Sequence, residues 1–244
     1  MFRGVVFDLD GVIVDSHPVH KQAWRRFLAS LGKEVSESDL AFIFEGRRRR
    51  DILIHFLGEL SDSEIQEYGS KKDDFFWQAC SIPKPAAGSV EFIERLEKTG
   101  LCMAVATSAS RQRARWTLEQ LKITDCFEVV VTGDDVVRSK PDPAIYQVVA
   151  QRLSTSPECL VAIEDSPCGV RSAKSAGLHC LGIGLGKNVH PLLQAGADCV
   201  FPNLVDLSIS DLEKVFDAHL RAGVSAHNKS NPHPPVELTK NHMP

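Results

Sequence analysis

Gly4-Val5-Val6-Phe7 is an apolar run that leads directly into Asp8-Leu9-Asp10-Gly11. A nearly continuous apolar run is how a parallel strand looks when both its faces are covered, so a buried strand is expected here. Residues two apart on extended chain point the same way, which sets Asp8 and Asp10 side by side just past the strand's end. Gly11 permits an unusual turn at that point. Two carboxylates there can share a cation and leave an oxygen free. A calcium loop has a similar opening, but it wants a third acid two residues on and a glutamate at its last position. Those places hold Val12 and Val19.

Further strands are expected over 102–107, 128–132, 160–163 and 179–183, with a short one over 198–201. Helical patterns separate them. Val90, Ile93 and Leu96 recur at helical spacing before Gly100. Asp142-Pro143 predicts a cap with proline at the first helical position, and Ser166-Pro167 predicts the same for a helix ending at Gly177. Alternating strands and helices specify an α/β fold with a parallel sheet. Residues 17–84 break the alternation: Trp24, Phe27, Leu28 and Leu31, then Leu40, Ile43 and Phe44, read as helices, and Ser61 with Glu64 forms a capping box. This stretch is expected to be a helical insertion lying over the strand ends, where open α/β sheets bind ligands. Residues 222–244 are rich in Pro, Asn, His and Lys and are expected to be a loosely ordered tail.

Three other strand ends carry polar groups. Thr107-Ser108-Ala109 follows the second strand, where a hydroxyl before a helix N-terminus suits either phosphate or a plain helix cap. Lys140, in Ser139-Lys140-Pro141-Asp142, is a point charge just before a helix. Glu164-Asp165 ends the fourth strand, and two acids there are costly without a cation. Together the four ends offer a nucleophilic acid, a second acid, a hydroxyl, a lysine and an acid pair able to hold a hard cation such as Mg2+. That set fits phosphoryl transfer, with the cation and Lys140 offsetting repulsion between a phosphate and Asp8.

On these residues the chain resembles the haloacid dehalogenase superfamily over about residues 2–215, and in particular its β-phosphoglucomutase and sugar-phosphatase branch. The resemblance implies a Rossmann-like core from 1–16 and 85–221 with an inserted α-helical cap over 17–84. It implies that Asp8 forms an aspartyl-phosphate. Asp10 would protonate the leaving oxygen and offer its main-chain carbonyl to magnesium. Thr107, Ser108, Ala109 and Lys140 would bind phosphate, and Asp165 with Glu164 would complete the metal site. Founding dehalogenases lack the second acid, so Asp10 argues against dehalogenation. In the cap, His20, Trp24, Gly46, Arg49 and Lys72 match substrate-binding positions, Arg49 as the grip on a distal phosphate. Trp24 also fits a core position, and Arg47–Arg50 also fits a solvated basic loop. Ser16, Ile52 and Gln112 depart from the mutase pattern, and Ile52 and Gln112 favour hydrolysis over isomerisation. A non-catalytic phosphate-binding protein is the alternative from another class; its mark would be loss of Asp8, Asp10 or Lys140.

A formal net charge of −4 gives no reason to expect a nucleic-acid partner. No apolar run is long enough for a membrane span, and acids interrupt the apolar N-terminus, so no signal peptide is expected. Seven cysteines without C-x-x-C spacing suit a reducing, cytoplasmic setting. The expected partner is a small phosphorylated metabolite, and the expected state a monomer or weak dimer.

Overall fold

A computed structural model describes residues 1–43, 47 and 49–217. Gly46 and the tail expected over 222–244 lie outside the described residues. In chain order the elements are β1 (Gly4–Phe7), α1 (His17–Ser30), α2 (Glu37–Ile43), α3 (Arg49–Leu57), α4 (Asp62–Ala79), α5 (Ser89–Glu97), β2 (Cys102–Ala106) and α6 (Arg111–Leu121). They continue with β3 (Val129–Val131), α7 (Ala144–Arg152), β4 (Leu160–Glu164), α8 (Pro167–Ser175), β5 (His179–Ile183), α9 (Val189–Gln194) and β6 (Cys199–Phe201).

The six strands form one parallel sheet in the order β3-β2-β1-β4-β5-β6. β1 is central because it is apolar on both sides. Val5 and Phe7 join one core layer with Met103, Val105, Val161 and Ile163, while Val6 joins the other with Ala104, Ala106, Leu160 and Ala162. Strand order reverses at β1: the chain passes to β2 and β3 on one side, then to β4, β5 and β6 on the other. Such a switch opens a crevice beyond the carboxyl ends of the strands, here those of β1, β2 and β4.

Between β1 and α5 the regular elements of the described residues are helices, and these have their own apolar centre of Trp24, Phe27, Leu28, Leu40, Ile43, Ile52 and Leu53. The capping box at the start of α4 forms as expected: Ser61 accepts from the Glu64 N–H, and Glu64 accepts from the Ser61 N–H. The two connections to the sheet run side by side. Val14 bridges Pro85 antiparallel, the Asp15 N–H donates to the Lys84 carbonyl at 2.8 Å, and Lys84 Nζ pairs with Asp15.

One helix start differs from expectation. α7 begins at Ala144, so Pro143 is its N-cap and not its first residue; Asp142 Oδ1 accepts the Ala144 N–H at 3.0 Å, which stops the turn one residue later. At α8 the expectation holds, with Ser166 as N-cap accepting from Gly169 N–H and Pro167 at the first position. All seven cysteines lie among the described residues and are unbridged. No helix among the described residues is long and apolar enough to cross a membrane.

Candidate active site

Asp8 leaves β1 on the sheet's central axis, and its N–H donates to the Ile163 carbonyl at 3.0 Å. Lys140, brought in from the loop before α7, donates to Asp8 Oδ1 at 2.7 Å, to Glu164 Oε1 at 2.6 Å and to the Ala106 carbonyl at 3.0 Å. The ammonium is 1% exposed and saturated: it has three donors and three acceptors. Burial opposes its charge, but Asp8 and Glu164 outweigh burial and hold its pKa well above the ordinary lysine value. Glu164 is wholly buried. It also accepts from Tyr146 O–H at 2.7 Å and from Ser166 Oγ at 3.2 Å. Its carboxylate lies against Gly169 in the first turn of α8, where a Cβ would fall 2.0 Å away, so only glycine fits.

Asp8, Glu164 and Asp165 each bring a carboxylate oxygen within 4.8 Å of the others. Burial first, and then mutual repulsion, pushes the carboxyls of Asp8 and Asp165 well above the usual range, with Lys140 opposing. One ammonium among two buried acids and the partly buried Asp165 leaves a charge deficit that a hard cation with oxygen ligands would meet. These residues therefore fit a divalent metal such as Mg2+. Gly11 closes this side. Its φ of +80° suits glycine, and a Cβ would meet Asp165 Oδ2 at 1.8 Å. His17 Nε2 stands 3.2 Å from the same oxygen.

Asp10 is not part of that acid cluster. Its side chain turns to the insertion side, where Arg113 holds it with both guanidinium arms, Nη1 to Oδ1 at 2.7 Å and Nη2 to Oδ2 at 2.6 Å. Ser16 Oγ also donates to Oδ1. Burial would raise its pKa, but the Arg113 charge, helped by His20, keeps this carboxyl well below the usual range. Of the metal-ligand expectations, Asp10 is thus left with its main-chain carbonyl alone.

A cavity of about 260 Å³ opens above these groups. Asp8, Asp10 and Asp165 line its floor, Ser108 and Ala109 its wall beside β2, and His20, Trp24, Arg49 and Lys72 its roof from the inserted helices. Thr107, Lys140 and Glu164 do not reach the cavity. Thr107 is buried, and its Oγ1 accepts the Ala109 N–H at 3.0 Å, shaping the turn rather than facing the space. Lys140 and Glu164 sit behind Asp8.

In the roof, Trp24 packs within the helical core and also carries Lys72 Nζ over its ring at 5.4 Å. His20 stacks on Phe76 with centroids 4.7 Å apart, and its Nδ1 lies 3.1 Å from Lys72 Nζ. Burial, then Lys72 and Arg113, pushes the imidazole down to about 3. It is neutral, and because Lys72 donates to Nδ1, the ring proton sits on Nε2. That Nε2 finds no hydrogen-bond partner among the described residues; Asp10 Oδ1 is 3.7 Å away. Burial lowers Lys72 to about 7. Arg49 crosses α4 at Gly69, whose missing side chain makes room, and pairs with Asp73.

Four residues that matter to this geometry were not picked out from sequence: Arg113, Tyr146, His17 and, as a partner of Asp10, Ser16. Arg113 had one available signal. It stands in the first turn of α6, where the helix dipole disfavours a cation, so an acidic partner elsewhere in the fold was to be expected.

The sequence profile of the haloacid dehalogenase-like hydrolases matches residues 5–183, and the chain belongs to that family. Within it, the chain is an enzyme of the phosphatase and phosphomutase kind. It is similar to a phosphorylated carbohydrates phosphatase of Thermotoga maritima, 37% identical over 183 residues, 72% of this chain and 82% of that protein. It is also similar to a β-phosphoglucomutase of Bacillus subtilis, 28% identical over 226 residues, 89% of this chain and 96% of that protein. The fold matches a crystal structure of β-phosphoglucomutase from Clostridium difficile with a TM-score of 0.81 at 21% identity, covering 91% of this chain and all of that one. Aspartyl-phosphate chemistry with Mg2+ is general in the family.

Proposed function

We propose that this enzyme hydrolyses the phosphate monoester of a small phosphorylated metabolite, such as a sugar phosphate, through an aspartyl-phosphate on Asp8. The observation that carries this reading is the placement of Asp8 on the cavity floor, backed by the saturated Lys140 and flanked by Glu164 and Asp165. A divalent cation held by Asp8, Asp165 and the Asp10 carbonyl would supply the charge neutralisation that lets a phosphate approach. Asp8 attacks phosphorus in line. Ser108, in the turn after β2, binds a phosphate oxygen, and Asp10 gives its proton to the leaving alcohol. In the second half Asp10 takes a proton from water. Residues 17–84 serve as the lid that excludes bulk water, and His20 Nε2–H is free to donate to a substrate oxygen.

The mutase is the second reading, favoured by the convergence of His20, Trp24, Arg49 and Lys72 on one roof. Against it, Gln112 lines an outer groove with Trp77 and Trp116 instead of the central cavity, and Ile52, which does line that cavity, brings no hydroxyl to it. A screen of phosphorylated metabolites with magnesium, following free phosphate and isomerised sugar phosphate together, decides between them. Phosphate release is expected. Isomerisation that depends on added bisphosphate, without phosphate release, would replace hydrolysis by the mutase. Activity should disappear in EDTA and return with Mg2+, and full turnover by metal-free protein would refute the mechanism.

Arg49 is proposed to select the substrate's far end. Losing one charge-assisted, two-armed contact costs about 1.5–3 kcal/mol, roughly ten- to a hundred-fold in kcat/KM. Arg49→Ala should impose that loss on sugar phosphates with an anionic far end and spare p-nitrophenyl phosphate. Equal losses on both would assign Arg49 to folding, through its pair with Asp73.

A further inference from the structure

We infer that Arg113 is the positioning residue for Asp10: it fixes which carboxylate oxygen exchanges the proton, and it ties that oxygen to the inserted helix α4. The inference rests on the acid/base role proposed for Asp10.

A carboxylate offers about four lone-pair sites. On Asp10, Oδ1 accepts from Arg113 Nη1 and from Ser16 Oγ, so it is full. Among the described residues Oδ2 accepts from Arg113 Nη2 alone, so one site remains there. The Arg113 pair favours the carboxylate at rest, so a proton must first be taken up, and Oδ2 is the oxygen with a site left to receive it. As the bond from Asp8 to phosphorus forms and the bond from phosphorus to the alcohol oxygen breaks, that proton passes from Oδ2 to the departing oxygen. It is replaced from water when the phosphoenzyme is hydrolysed. The planar fork of Arg113 fixes the carboxylate plane, which a lysine's single point charge does not.

Arg113 is itself held. It is buried, its guanidinium lies 5.6 Å from the centre of the Phe76 ring, and its own N–H donates to Ser110 Oγ. One turn along α6, Trp116 meets Trp77 of α4 edge-on at 4.8 Å. The same Arg113 also lines a second cavity, of about 240 Å³, whose walls include Ser16, Phe76, Cys80 and Lys84 at the neck of the insertion. The guanidinium thus separates the active cavity from the point about which the helices would move. A shift of α4 is felt at Asp10 through one side chain.

The test compares two leaving groups. p-Nitrophenolate departs without a proton, whereas a sugar alkoxide needs one, and kcat/KM reports only the steps up to phosphoenzyme formation. Wild type, Arg113→Ala, Arg113→Lys and Asp10→Ala are assayed with saturating Mg2+ on p-nitrophenyl phosphate and on the best sugar phosphate from the screen, with folding followed by circular dichroism. Both Arg113 variants should lose about 10- to 100-fold on the sugar phosphate, a part of what a general acid supplies, and less than about threefold on p-nitrophenyl phosphate. Adding the Arg113 change to Asp10→Ala should cost little more, since the two act as a unit. Guanidinium ion should restore part of the sugar phosphate rate to Arg113→Ala. If Arg113→Ala does not fold, Arg113→Lys carries the test, because it keeps the charge and the stem but cannot span both oxygens. Equal losses on both substrates, or none, overturn the inference while a selective loss in Asp10→Ala leaves the acid/base reading standing. A non-selective Asp10→Ala overturns that reading, and this inference with it.

Discussion

Asp8→Asn will abolish turnover, by at least about 10³-fold, and leave the chain folded. Asparagine keeps the size of the side chain but is a far weaker nucleophile. Lys140 and Glu164 stand behind Asp8 and Asp10 is held by Arg113, which leaves Asp165, the proposed metal ligand, as the one other carboxylate on the floor. The loss is chemical and not structural for a reason the contacts give. Lys140 loses one carboxylate but keeps Glu164 and the Ala106 carbonyl, so no buried charge is orphaned. Removing one acid from a cluster in which burial and repulsion already push the carboxyls up relieves repulsion. In metal-free buffer at pH 7 the variant should therefore melt no lower than wild type. Wild type quenched in acid during turnover should carry phosphate bound as an acyl ester, and the variant none. A variant that keeps more than a few per cent of the wild-type rate would remove Asp8 from the mechanism.

Lys140→Met should fail in both respects, losing stability and rate together. It removes the ammonium that the described residues place between Asp8 and Glu164, leaving those two buried acids to face one another across its place. Breaking a buried pair by deleting one partner costs about 3–5 kcal/mol, which for a chain of this size lowers Tm by roughly 6–20 °C. Turnover should fall by about 100- to 1000-fold, the scale for one lost preorganised charge. A second change separates the two effects. Adding Glu164→Gln to Lys140→Met removes the stranded charge while keeping an acceptor for Tyr146 and Ser166. Most of the lost Tm should return and the rate should not. Recovery of rate with stability would mean that Lys140 acts on folding alone.

The sheet was legible because its strands are short, apolar on both faces and end in polar residues; β1, β2, β4 and β5 fall within a residue of the sequence expectation. The polar groups at those ends converge because parallel strands align their carboxyl termini, a rule of topology that needs no knowledge of side-chain packing. What the sequence could not show was pairing. Asp10 and Arg113 are 103 residues apart, and α6 carries arginines at 111, 113 and 115; the first-turn signal does not separate 111 from 113, and only packing turns 111 and 115 outward. Arg49 was expected to be available to a ligand, yet it lies paired with Asp73, because Gly69 opens a groove across α4 that no periodicity announces. Thr107 and Ser108 are neighbours with the same chemistry. Only the turn after β2 decides that one hydroxyl is spent on the backbone while the other lines the cavity.

The neck at Val14 and Pro85 has an evolutionary implication. Because the insertion leaves and rejoins the sheet through two adjacent segments joined by a single bridge at Val14 and Pro85 and by the Asp15–Lys84 contacts, the sheet registers the same short junction whatever lies beyond it. Exchange of the segment beyond this junction between related chains should transplant a preference for one metabolite over another, while the proton and phosphoryl machinery below is inherited intact.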